Sequence, residues 1–194
     1  MPAYRAFGAL LVSRAFRHKV TYTNITPAPH SLPILEAQGY RRYCSGRVIA
    51  MPMFASRGGD AVVRAFDETR DAAGHLDPTE YQILKDHASY GCICLVCEKG
   101  GKTVPFVFAP RKRMLALRFA VLVYGSAAGE FLDFAQALGR YLARQKLPFV
   151  VIDANGPMPG ACGIYFSRKP KFFRGPDRPR LNDHAYTERA LFGS

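Results

Sequence analysis

The stretch at 115–155 constrains the fold of this chain more than any other. Two apolar runs, LALRFAVLVYG and LPFVVIDAN, bracket the segment GEFLDFAQALGRYLARQK. Within that segment Phe131, Phe134, Ala135, Leu138 and Leu142 recur on one helical face. A strand, an amphipathic helix and a second strand in this order require a crossover that sets the strands parallel. The fold class that follows is α/β, with a mixed twisted sheet and flanking helices. A looser echo lies near the start, where FGALLVSRAFRHKVTYTNITP parallels FAQALGRYLARQKLPFVVIDANGPMP. Each copy reads as an apolar helix, a basic last turn, a strand ending in Asn (Asn24, Asn155) and a Pro-rich loop, which suggests a tandem, degenerate repeat.

Other elements follow from local chemistry. A helix is expected over Ala3–His18, a strand over Val20–Asn24, and a short helix in PILEAQ ended by Gly39. The runs YRRYC and RVIAM flank Ser45-Gly46 and predict a hairpin. Residues 58–77 are small and charged and read as a linker with at most one helix, near Asp60–Phe66. Asp77-Pro78-Thr79-Glu80 supplies a cap, a proline at the first helical position and a returning carboxylate, so a helix starts there and runs to Ala88. GCICLVCEK and KTVPFVFAP around Gly100-Gly101 predict a second hairpin. The division expected is a partial lobe at 1–57, the linker at 58–77, and a fuller lobe with a basic tail at 78–194.

The apolar share of 48% is enough for a packed core and excludes a disordered chain. The longest apolar run is broken by Arg118, so no segment reaches the roughly 20 residues that span a bilayer. Five cysteines, an odd number, point to a reducing, cytoplasmic setting rather than a disulfide framework. On one strand Cys92 and Cys94 face one way and Cys97 the other, so the three thiols do not converge on a metal. The Arg-rich start runs straight into VTYTN and reads as part of a domain rather than a transit peptide. His18, His30 and His87 receive no functional role, and a helix C-terminus favours a cation at His18 and His87.

At this point LALRFAVLVYGSAAGEFLDFAQALGRYLARQKLPFVVIDAN resembles the central strand–turn–helix–strand of the GNAT superfamily of acyl-CoA N-acyltransferases. The early stretch, with ILEAQGY, resembles the C-terminal half of another such domain. Together the likeness spans Met1–Arg57 and Pro78–Phe173. It implies acetyl-CoA or another acyl-CoA as co-substrate, an amine as acceptor and no metal. The diphosphate would lie on the backbone of Tyr124, Gly125, Ser126, Ala127, Ala128 and Gly129, where small residues and a helix start let amides approach an anion. Asn155, at the end of the second strand, would orient an amide. The two strands are expected to part at this turn. Leu35 stands where many members carry a Tyr as general acid, so no catalytic residue is assigned.

That departure sustains an alternative: a non-catalytic, GNAT-like binding or assembly module. The net charge of +12 and the mixture of Arg168, Lys169, Lys171, Arg174, Arg178 and Arg180 with Phe172 and Phe173 suit RNA or single-stranded DNA. Arg111-Lys112-Arg113 adds a second basic run, and the same residues could hold the phosphorylated end of a coenzyme or form solvated surface. On the resemblance the first lobe would want its opening strand, and the edge so exposed is expected to pair with the other lobe or with a second copy in a homodimer.

Overall fold

The computed structural model describes residues 19–72, 74, 76–112, 117–125 and 128–187. The helix expected over Ala3–His18 and the turn residues Ser126 and Ala127 lie outside these. The chain forms two compact units, Met1–Tyr43 with Pro170–Pro179, and Cys44–Lys169 with Arg180–Ser194.

The smaller unit carries a three-stranded sheet in the order β1 (Tyr22–Asn24), β10 (Lys171–Arg174), β2 (Arg41–Cys44). Helix α1 (Leu32–Ala37) ends as the sequence predicts, with Gly39 at φ 80°, a left-handed conformation that glycine adopts without strain. Phe172 and Phe173 are buried, and the guanidinium groups of Arg42 and Arg41 lie over their rings at 5.6 and 4.8 Å. Lys171 is buried as well. This corrects the reading of the tail as aromatic rings offered to bases, because a β-strand carries those rings into a packed sheet.

The larger unit is built on a seven-stranded sheet in the order β4-β5-β6-β7-β8-β3-β9. Its strands are β3 (Gly46–Ala50), β4 (Val62–Ala65), β5 (Ile93–Lys99), β6 (Lys102–Lys112), β7 (Arg118–Gly125), β8 (Phe149–Ala154) and β9 (Gly163–Phe166). Every pairing is antiparallel except β7 with β8. The mixed α/β sheet expected from 115–155 is therefore present, and the crossover is helix α4 (Ala128–Arg144). Phe131, Phe134, Leu138 and Leu142 of α4 are buried with Phe106, Phe108, Val150 and Ile152 on one sheet face. Each such side chain contributes roughly 1.5–3 kcal/mol of burial. On the other face, α3 (Pro78–Ser89) sets Ile83 and Leu84 against Val96, Val107 and Val123, and its cap Asp77 accepts from the Thr79 amide at 2.8 Å. Strand β5 is covered on both faces: Cys94 belongs to the α3 side, where Cys92 also packs, and Cys97 to the α4 side. The Gly100-Gly101 hairpin has both residues at positive φ, 57° and 77°, as a tight turn between twisted strands requires.

Two local expectations give way. Arg41–Cys44 and Gly46–Ala50 do not form a hairpin, because β2 joins the three-stranded sheet while β3 inserts between β8 and β9. Gly46 is small for another reason: a Cβ there would lie 2.2 Å from the Phe166 carbonyl oxygen. Within 58–77, Val62–Ala65 is not helical but forms β4, the sheet edge beside β5. A short helix α2 (Glu68–Asp71) follows, and its Asp71 takes a two-pronged contact from Arg64 at 2.6 and 2.9 Å.

Candidate functional site

Strands β7 and β8 pair over three positions only, Phe119 with Phe149, Ala120 with Val150 and Val121 with Val151. Beyond Val121 they part. On the other side of β7 the register against β6 jumps: Val107 faces Tyr124 and Phe108 faces Leu122. Val123 is thus an extra residue on β7, and such a bulge bends its strand and increases the local twist.

The opening is occupied by the chain itself. The His184 amide donates to the Val123 carbonyl at 2.8 Å on the β7 lip, and Tyr124 forms an antiparallel bridge with Asp183. On the β8 lip, the Asp153 amide donates to Asn182 Oδ1 at 2.7 Å, while Asn182 Nδ2 donates to the Asp153 carbonyl at 3.1 Å. His184 Nε2 donates to Asp153 Oδ2 at 2.5 Å. Asn182, His184 and Asp153 are all at most 2% exposed. Asn182 sits at φ 59°, a left-handed conformation that Asn tolerates better than most residues. Buried backbone groups require partners, and residues 182–184 supply those that the parting strands cannot give each other.

A second anchor lies on α3. His87 Nδ1 is 2.7 Å from the Ile83 carbonyl, which can only accept, so Nδ1 carries the proton and Nε2 accepts from the Tyr186 amide at 3.2 Å. The Tyr186 hydroxyl donates to Asp86 Oδ2 at 2.7 Å. His87 is therefore a buried acceptor for the tail rather than the helix-end cation its position suggests.

The polar groups at the mouth form one cluster. Arg180 donates to Asp183 Oδ2 at 3.1 and 3.3 Å and also bonds the Tyr124 phenol. Burial, then the nearby Asp77 carboxylate, push the Glu80 carboxyl above its ordinary range, with Arg180 opposing. Burial, then Glu80, raise the Tyr124 phenol in the same way. Glu130, in the first turn of α4, is paired with Lys102, which offsets its charge near the turn.

Of the residues expected at the site, Tyr124 and Gly125 end β7, and both are buried. A Cβ on Gly125 would meet the Phe106 ring at 3.0 Å, so glycine lets the backbone lie close there. Ala128 begins α4, and Gly129 is exposed with open space around it. Asn155 accepts from the Ser45 amide through Oδ1 at 2.8 Å and so ties β8 to the start of β3. Leu35 is buried in α1. Asp153, Asn182, His184 and Glu80 were not anticipated at the site. An Asp inside the apolar run FVVIDA is the one available signal, since a carboxylate there needs a buried partner. Among the described residues no group of three or more His, Cys, Asp or Glu is placed to hold a metal ion, and no helix is long and apolar enough to cross a membrane.

No family model matches the chain, and no curated protein matches it in sequence. Among solved structures it is similar to a conserved protein of unknown function from Staphylococcus epidermidis ATCC 12228, with TM-score 0.47 and 11% identity over 88% of this chain and 77% of that one. It is also similar to a GCN5-related N-acetyltransferase from Anabaena variabilis ATCC 29413, with TM-score 0.49 and 10% identity over 89% of this chain and 52% of that one. Both scores are below 0.5, so neither likeness assigns an activity or a site to this chain.

Proposed function

We propose that the protein is a GNAT-like, acyl-CoA-dependent N-acyltransferase. The observation that carries this reading is the end of the β7–β8 pairing at Val121, beside a bulge on β7. In this reading the backbone from Tyr124 through Gly125, Ser126, Ala127 and Ala128 to Gly129 holds the diphosphate, and Asn155 stays at the end of β8 as a positioning residue. The pairing of Glu130 with Lys102 suits an anion at the start of α4. The lips of the opening hold the amide-bearing arm of the coenzyme and place its thioester beside the acceptor amine. The amine nitrogen bonds the acyl carbon as the carbon–sulfur bond breaks, the sulfur leaves as thiolate, and the amine proton is lost. Glu80, raised by burial at the mouth, is the group proposed to accept that proton.

Isothermal titration with acetyl-CoA tests the reading. A saturable heat that is weakened when Gly125 is replaced by Val supports it, and no heat at millimolar ligand removes it. A specific observation favours a second reading, the non-catalytic module: residues 182–184 already fill the opening. That reading predicts no turnover of acetyl-CoA with any amine in a thiol-release assay.

A further inference from the structure

We propose that Asn182–Tyr186 is a displaceable internal plug, which closes the opening between β7 and β8 until a ligand bearing amides takes its place. The proposal rests on the acyl-CoA reading for the identity of the ligand, but not for the existence of the plug.

The plug is held by polar contacts. Its buried members are Asn182 and His184, and it meets the lips through the Val123 carbonyl and through the backbone and carboxylate of Asp153. The bonds to the backbone groups of the lips exchange for equivalent ones at little net cost, and the Asp153 carboxylate keeps a partner only if water or a ligand donor reaches it once the segment leaves. The arm of a coenzyme A thioester contains two secondary amides and can offer the Val123 carbonyl the same N–H that His184 now offers. The segment is also held by its ends. Arg180 bonds Asp183 and Tyr124 on one side, and Tyr186 bonds His87 and Asp86 on the other. Tyr186 is 48% exposed, so its bond to Asp86 lies where water competes for it. A ligand that binds only the open form has its apparent affinity reduced by the fraction of molecules that are open.

Two measurements on the full chain test the plug. The first is native-state hydrogen exchange, which needs no ligand. The amides of Asp153, His184 and Tyr186 are expected to exchange through a shared local opening while β5, β6 and α4 stay protected. Exchange of these amides only with the global unfolding of the sheet overturns the plug. The second is acetyl-CoA titration of wild type, of Asn182→Ala/His184→Ala, and of Tyr186→Phe, which removes one exposed hydroxyl and leaves the core intact. The double variant is expected to bind at least about ten-fold more tightly, and Tyr186→Phe to move in the same direction by less. Equal affinity in all three overturns the plug and leaves the acyl-CoA reading in place. Local opening with no binding by any of them supports the plug and removes the acyl-CoA reading.

Discussion

The imidazole of His184 and the carboxylate of Asp153 meet at 2.5 Å with both side chains almost wholly removed from water, although 31 residues separate them in the chain. A buried contact of this kind is costly to break from one side, because the remaining polar group keeps its burial and loses its partner. Asp153→Ala is expected to lower stability by about 2–4 kcal/mol in urea denaturation followed by circular dichroism. An unchanged midpoint and slope would show that the contact contributes nothing.

Helix α4 lies against the turn Pro52–Phe54 with no space for a side chain at Gly139. A Cβ built there falls 2.0 Å from the Met53 amide nitrogen and 2.3 Å from the Pro52 carbonyl carbon, both backbone atoms. Gly139→Ala would raise helix propensity in an isolated peptide, yet here it is expected to destabilise by about 1–3 kcal/mol through overpacking. Thermal denaturation decides the sign, and a rise in the midpoint would contradict the close approach.

At the sheet edge the Asp71 carboxyl is pulled two ways. Burial pushes it up, but the hydrogen bonds from Arg64 and from the Asp67 amide outweigh that and leave it below its ordinary value. A carboxyl lowered by folding stabilises the protein above its unfolded pKa, and that contribution is lost as pH falls through the folded one. Stability is therefore expected to decline below about pH 4, the ordinary carboxyl range. Asp71→Asn should shed about 3 kcal/mol at neutral pH and flatten that acid decline. Denaturation profiles of both proteins from pH 3 to 7 measure this, and parallel profiles would refute it.

The thiols on β5 act at the other end of the scale. Burial pushes Cys94 up to about 12 and raises Cys97 as well. Unfolded thiols ionise near pH 8.5, so above about pH 9 the unfolded chain sheds protons that the folded chain keeps, and stability falls as pH rises. Cys94→Ala/Cys97→Ala should reduce that alkaline loss. At pH 8 a thiol reagent is expected to modify the exposed Cys162 first, with Cys44, Cys94 and Cys97 reacting only after denaturation. Early reaction of Cys97 would count against its burial.

How far the chain could be read in advance depended on whether the signal was local. The α4 crossover was legible because Phe131, Phe134, Leu138 and Leu142 keep a helical period between two apolar strands. The Gly100-Gly101 hairpin was legible because such turns need positive φ at two successive residues. Ser45-Gly46 looked similar, but Gly46 serves a tertiary approach by β9, which turn chemistry does not encode. Strand β4 was hidden because Arg64 reads as solvated until Asp71 and Glu98 are placed beside it. At the candidate site, the strands were expected to part at Tyr124–Gly125, whereas the pairing of β7 with β8 ends at Val121 and the occupant of the gap was not foreseen. Asn182, Asp183 and His184 are polar residues in a basic tail, and nothing local distinguishes a buried polar tripeptide from a surface one.

The extra residue at Val123 gives this sheet a fork that a single deletion could erase. With Val123 removed, Tyr124 would follow Leu122 directly and keep its place opposite Val107, and β7 would lose the bend that the bulge imposes. The two prongs could then run on side by side as continuous parallel strands, and the tail would lose its berth. A sheet whose openness rests on one surplus amino acid can pass between a solid wall and a doorway by the smallest change a gene allows.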